Sequence, residues 1–181
     1  MQKIKIIIAD DHPVVLLGLR ELIKHDERFL VVGEALGSAE LIALLNQKQV
    51  DLLITDYHMP TDSPHGDGLK LIDYIRRHFP QLQILVLTIL SHRLIIENLH
   101  RVGVVGVIRK SQLQTEILNA LEAVVKKAPY IASDPIKQPV LEDLSPKELE
   151  VSRVLMLGNR VKDVASSRNR SAKTISTQKA R

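Results

Sequence analysis

Over residues 1–126, short apolar runs alternate five times with segments of helical period, and this alternation constrains the chain more than any other feature. The runs are residues 4–9, 30–34, 51–55, 83–88 and 104–108. An apolar run of that length with no polar side reads as a strand covered on both faces. Residues 13–24, 38–46, 68–78, 92–102 and 112–126 follow them, with apolar side chains returning every three or four positions. Pro13 suits the first turn of a helix, where no proline N–H is needed, and Ser38 suits an N-cap. Strands alternating with helices predict a parallel sheet clothed on both faces, an α/β fold. Right-handed crossovers then bring all the C-terminal strand ends to one edge, where such sheets bind ligands.

The alternation stops at residue 127. Pro129, Pro135 and Pro139 deny residues 127–143 a helix or a central strand, which reads as a linker. Ser145-Pro146-Lys147-Glu148 then opens a helix, with Ser at the cap, Pro at the first position and Glu at the third. Gly158-Asn159 ends it, a short helix spans 161–167, and Ser171 caps a third after the turn Asn169-Arg170. Three helices within residues 144–181, the last two joined by a tight turn, suggest a small all-α helix-turn-helix domain.

Charge divides the chain at the same place. Residues 145–181 carry +6 and the remainder −2, for a total of +4. A basic segment on a slightly acidic body points to two jobs, one of them near a polyanion. The last helix holds Lys173, Thr174, Ser176, Thr177, Lys179 and Arg181, with Arg170 just ahead of it. Hydroxyls and cations of this kind suit a helix in the major groove, where they meet phosphates and base edges. The absence of cysteine excludes disulfides, thiolate catalysis and Cys-ligated zinc. Three Tyr, two Phe and no Trp argue against a stacking platform for single strands. No apolar run approaches the ~20 residues of a membrane span, and the N-terminus lacks signal-peptide architecture. A cytoplasmic location without membrane contact is expected.

Asp10-Asp11, Asp56, Thr88 and Lys110 stand at or just past four different strand ends. Any one of them alone would mean little; their joint placement is specific. Three carboxylates in one crevice repel one another unless a hard divalent cation sits among them, and Mg²⁺ suits that ligand set. Asp56 is then a carboxylate nucleophile able to form an acyl phosphate. Thr88 supplies a hydroxyl and Lys110 a cation to the phosphoryl oxygens. No pair of histidines has the i, i+4 spacing of a helical zinc site.

Taken with Met59-Pro60 after Asp56, these residues resemble the receiver domain of bacterial response regulators, over residues 1–126. Residues 144–181 resemble the LuxR-type helix-turn-helix of the NarL/FixJ class, through Leu144-Ser145-Pro146-Lys147-Glu148 and Ser171-Ala172-Lys173-Thr174-Ile175-Ser176. The resemblance implies a five-stranded doubly wound sheet of flavodoxin-like order 2-1-3-4-5. It implies that Asp56 is phosphorylated, that Asp11 and Asp56 bind Mg²⁺ directly and Asp10 through water, and that the backbone carbonyl of His58 completes the protein ligands. A histidine kinase or phosphotransfer protein would donate the phosphoryl group, and homodimers or heterodimers with related regulators would bind DNA. Some positions depart from the family. Ile89 stands where a small residue is usual, Val107 where an aromatic is usual, and Arg168 where a core residue is usual; residues 61–67 lengthen a loop. The sequence ends at Arg181, inside the expected recognition helix. A phosphorylation-controlled transcription regulator is the leading reading. The alternative is a phosphoacceptor that pairs with other regulators without binding DNA specifically. A Mg²⁺-dependent phosphohydrolase lacks a substrate domain, so the chain reads as a regulator and not as an enzyme.

Overall fold

A computed structural model describes residues 3–59, 65–89 and 93–132. They form strands β1 (Ile4–Ala9), β2 (Phe29–Ala35), β3 (Leu52–Asp56), β4 (Gln83–Thr88) and β5 (Gly106–Arg109). Between them run helices α1 (Pro13–Ile23), α2 (Ser38–Gln47), α3 (Gly68–His78) and α4 (Arg93–Val102), and α5 (Leu113–Val125) follows β5 after a 3₁₀ turn at Lys110–Gln112. The sheet is parallel, in the order β2-β1-β3-β4-β5. The doubly wound α/β architecture expected from the alternation is what forms.

Alternate residues of each inner strand feed opposite faces, as strand geometry requires. Ile6, Ile8, Leu52, Ile54, Leu85 and Leu87 join one apolar layer with Leu16 and Leu19 of α1 and with Ile117 and Leu121 of α5. Ile7, Leu53, Ile84 and Val86 join the other, with Leu41 of α2, Leu71 and Ile75 of α3 and Leu99 of α4. Each fully buried side chain of this size contributes about 1.5–3 kcal/mol, so strands buried on both faces anchor the fold. A register shift at Ile6/Ile7 lets β2 carry one extra residue against β1. The order of the strands reverses between β1 and β3, and a ligand crevice is expected outside their C-terminal ends.

Three sequence expectations are corrected. Ser38 does not cap α2: it is the first helical residue, and Gly37 occupies the cap in an extended conformation. Glu40 reaches back instead, and one of its carboxylate oxygens accepts the Leu36 N–H at 2.9 Å. The fifth strand begins at Gly106 and not at 104, because α4 closes through left-handed Gly103 (φ 91°) and Val104 N–H returns to Leu99 O. Packing also continues past residue 126. Tyr130 N–H donates to Val105 O at 2.7 Å, and the ring, 5% exposed, completes the layer under α5. Gly106 makes room for it: a Cβ there would lie 2.6 Å from Tyr130 Cβ. Tyr130 lies against Glu116 of α5, also buried, and neither Tyr130 Oη nor Glu116 Oε2 has an aligned hydrogen bond.

The rest of the proline-containing segment and the expected helix-turn-helix lie outside the described residues. So do Arg168 and the expected DNA contacts Arg170, Lys173, Thr174, Ser176, Thr177, Lys179 and Arg181. No helix among the described residues is long and apolar enough to cross a membrane.

Candidate functional site

The crevice at the strand switch is built from chain termini that the sheet fixes in place. Asp10 follows β1 directly, and its N–H still bonds Ala35 O at 3.0 Å, so it continues the ladder by one residue. Its side chain is wholly buried. Asp56 is the last residue of β3 and is 6% exposed. Tyr57 N–H bonds Leu87 O at 2.7 Å, which carries the β3–β4 pairing just past Asp56. Lys110 opens the 3₁₀ turn after β5 and reaches back over the edge. Its Nζ lies 2.7 Å from Asp56 Oδ2 and 2.7 Å from Asp10 Oδ2.

One ammonium therefore serves two buried carboxylates. Burial pushes the Asp56 carboxyl up from its ordinary range, the hydrogen bond and charge of Lys110 pull it down, and Asp10 pushes it up again; the balance is upward. Burial opposes the charge on Lys110, but the Asp10 and Asp56 carboxylates beside it outweigh that, so its ammonium is held more firmly than usual. Asp11 adds a third carboxylate, partly exposed. The ligand atoms of Asp10, Asp11, His12 and Asp56 all lie within 4.8 Å of one another. Asp10 Oδ2 and Asp11 Oδ1 are buried without an aligned hydrogen bond, their contacts to Lys110 and His12 being ion pairs of 2.7 Å outside hydrogen-bond geometry. Buried acceptors short of donors, with three carboxylates facing one ammonium, fit a bound cation. The residues present could hold a divalent metal.

Thr88 ends β4 and is 1% exposed, in register with Arg109 of β5. The backbone N–H of His58 lies beside the Asp56 carboxylate and favours its charged form. Val107 is buried in the layer shared with α4, an aliphatic side chain where an aromatic one is usual in the resembled family. Ile89 is 82% exposed, so its bulk faces solvent. The residues proposed from sequence at β1, β3 and β5 are thus brought together.

Two participants were not read from the sequence. His12 caps α1, its N–H donates to Asp10 Oδ1 at 2.9 Å, and its Nδ1 stands 2.7 Å from Asp11 Oδ1. An Asp two residues ahead of a helix cap is the sequence signal for such a turn. Asp67 pairs with Nδ1 of His58. Nothing in the local pattern announces that contact, because it spans a loop.

The family described as "Response regulator receiver domain" matches residues 6–122. "Transcriptional regulatory protein RcsB" of Salmonella typhi is 40% identical, over 99% of this chain and 86% of its own length. Among solved structures, the isolated REC domain of RcsB from Salmonella enterica serovar Typhimurium with the phosphomimetic BeF₃⁻ is similar at a TM-score of 0.70 and 39% identity. That match covers 73% of this chain and 95% of the other. RcsB of the same organism bound to promoter rprA, again with BeF₃⁻, matches at a TM-score of 0.68 and 39% identity, over 99% of this chain and 88% of the other.

Proposed function

Because the chain belongs to the response regulator receiver family, we propose that it is a phosphorelay transcription regulator whose phosphoryl acceptor is Asp56. The observation that carries this reading is a nearly buried carboxylate at the end of β3, 2.7 Å from a lysine ammonium and beside two further carboxylates. An Asp56 oxygen attacks the phosphorus of a phosphohistidine on a histidine kinase or phosphotransfer protein. The O–P bond forms as the P–N bond breaks, and the departing imidazole nitrogen keeps the electron pair and takes a proton. Lys110 turns its ammonium to the phosphoryl oxygens and Thr88 offers its hydroxyl to one of them. Asp11 and Asp56 directly, Asp10 through water and the His58 carbonyl would hold Mg²⁺, which when bound offsets charge on the phosphoryl oxygens.

The new group adds roughly −1.5 to −2 charge and three strong acceptor oxygens. Lys110 then has a stronger partner than Asp10, and the receiver shifts between two states. Residues 127–143 link it to the helix-turn-helix of 144–181, whose Arg170, Lys173, Thr174, Ser176, Thr177, Lys179 and Arg181 meet DNA. The RcsB structure bound to promoter DNA supports this output. The active species is a homodimer or a heterodimer with a related regulator, in the cytoplasm, and its chemistry is its own modification rather than turnover of a substrate.

Acetyl phosphate with Mg²⁺ tests the acceptor. The chain is expected to gain one hydroxylamine-sensitive phosphate, and Asp56→Asn to gain none, since an amide is a poor nucleophile. Full labelling of Asp56→Asn would place the acceptor elsewhere.

A further inference from the structure

The loop that leaves Asp56 is tied to the start of α3 through side chains that the reading above does not use. His58 stands two residues past Asp56. Its backbone N–H sits on the Asp56 carboxylate, while its ring turns the other way and pairs, through Nδ1, with Asp67 Oδ2. Both side chains are mostly covered, at 32% and 25% exposed. Asp67 is the N-cap of α3, a place where an Asp ordinarily accepts the helix's own first N–H groups. Here its carboxylate makes no cap hydrogen bond and is given to His58 instead. The turn around it is set by two left-handed glycines, Gly66 (φ 72°) and Gly68 (φ 56°). A Cβ at Gly68 would lie 3.3 Å from Tyr57 Cζ, so the helix start is fitted to the residue next to Asp56. Ahead of this turn the His65 ring packs against Tyr74 of α3, tilted by 41° at 4.3 Å between centroids, which holds the same stretch a second time.

We propose that Asp67 is a positioning residue for the phosphoryl-transfer site. Acting through the His58 ring, it fixes the backbone segment that runs beside the Asp56 carboxylate and, on the reading above, offers a carbonyl to Mg²⁺. The imidazole is a spacer of fixed length between the first turn of α3 and the crevice. Its ring N–H can donate to Asp67 in the neutral and the charged form alike, so the tie does not depend on protonation. Removing it leaves the three carboxylates in place and loosens only the backbone ligand. Asp67 therefore sets how tightly the cation is held more than how fast a loaded site reacts.

Asp67→Ser isolates this role, because Ser remains a good N-cap but is too short to reach His58. Mg²⁺ binding to the full chain is measured by calorimetry without a phosphodonor, and labelling by acetyl phosphate is followed against Mg²⁺ concentration. Asp67→Ser is expected to weaken Mg²⁺ binding roughly tenfold, at the lower end of what outer partners of metal ligands cost. The labelling midpoint should move with it, while the rate at saturating Mg²⁺ approaches that of the parent chain. Asp67→Asn, which keeps an acceptor for the ring N–H, should restore most of the binding. His58→Phe should match Asp67→Ser, and the double variant should bind no more weakly than either single one. Unchanged Mg²⁺ affinity in Asp67→Ser, an Asn variant as defective as the Ser variant, or losses that multiply in the double variant would overturn the proposal. A parent chain that labels independently of Asp56 would instead sink the functional reading beneath it.

Discussion

Helices α4 and α5 both follow strands that end at the candidate site, yet they are seated very differently. Of the ten residues of α4, Leu99 alone is buried, and Leu94 is 51% exposed. Of the thirteen residues of α5, five are buried: Glu116, Ile117, Ala120, Leu121 and Val124. Tyr130 then folds back beneath α5 and joins the same apolar layer. Segments with few buried apolar side chains open at lower cost than the core. The strand end at Thr88 thus leads into a lightly held helix, whereas the one at Lys110 leads into a clamped helix. A change of charge at Asp56 meets one yielding neighbour and one rigid one.

The comparison breaks first if α5 proves dispensable. Leu121→Ala, at a site 1% exposed, is expected to cost about 2–5 kcal/mol, read from the urea midpoint at constant slope. A loss no larger than that of a surface residue would put the two helices on a par. The next effect is a pH dependence specific to the α5 side. Burial and the charge of Glu116 push the Tyr130 hydroxyl up from 10.0 to about 12. Between those values the unfolded chain has released this proton while the folded chain keeps it, so stability falls as pH rises. The contribution is fully present below about pH 10, and its loss by pH 12 is on the order of 2 kcal/mol. Urea unfolding of the parent chain and of Tyr130→Phe across that window should diverge, with the Phe variant falling less steeply. Parallel curves would show that the hydroxyl is not held neutral. The smallest effect is on α4. Leu94→Ala is expected to stay within about 0.5 kcal/mol, and a cost of several times that would mean that α4 is held as firmly as α5.

The two helices also differ in how far the sequence foretold them. The inner strands were legible because a run buried on both faces needs no partner to be recognised: β1 and β4 fall at residues 4–9 and 83–88, as read. The convergence of Asp10, Asp11, Asp56 and Lys110 was legible for a related reason. Once strands are parallel with right-handed crossovers, topology delivers their ends to one edge, whatever the loops do. What escaped depends on loop conformation. His12 on Asp11, and Asp67 on His58, are contacts chosen by local turns that carry no periodicity. Ser38 was misread because a favourable cap residue does not fix the position of the cap; Gly37 took it, and Glu40 reaches back past it to accept the Leu36 N–H. Tyr130 escaped because a single aromatic anchor among prolines makes no pattern at all.

That anchor joins two distant positions into one unit of inheritance. Residue 106 has no room for a β-carbon while the backbone of residue 130 docks on β5, since Tyr130 Cβ and the Tyr130 carbonyl oxygen would stand 2.6 and 3.0 Å from it. A lineage that gains a side chain at the start of β5 must first, or at the same time, move the backbone of residue 130 away, and losing the ring alone would not relieve the contact. Sequences descended from this one should therefore keep the glycine for as long as residue 130 docks there, although one lies in the sheet and the other falls in a stretch that pattern alone would assign to a linker.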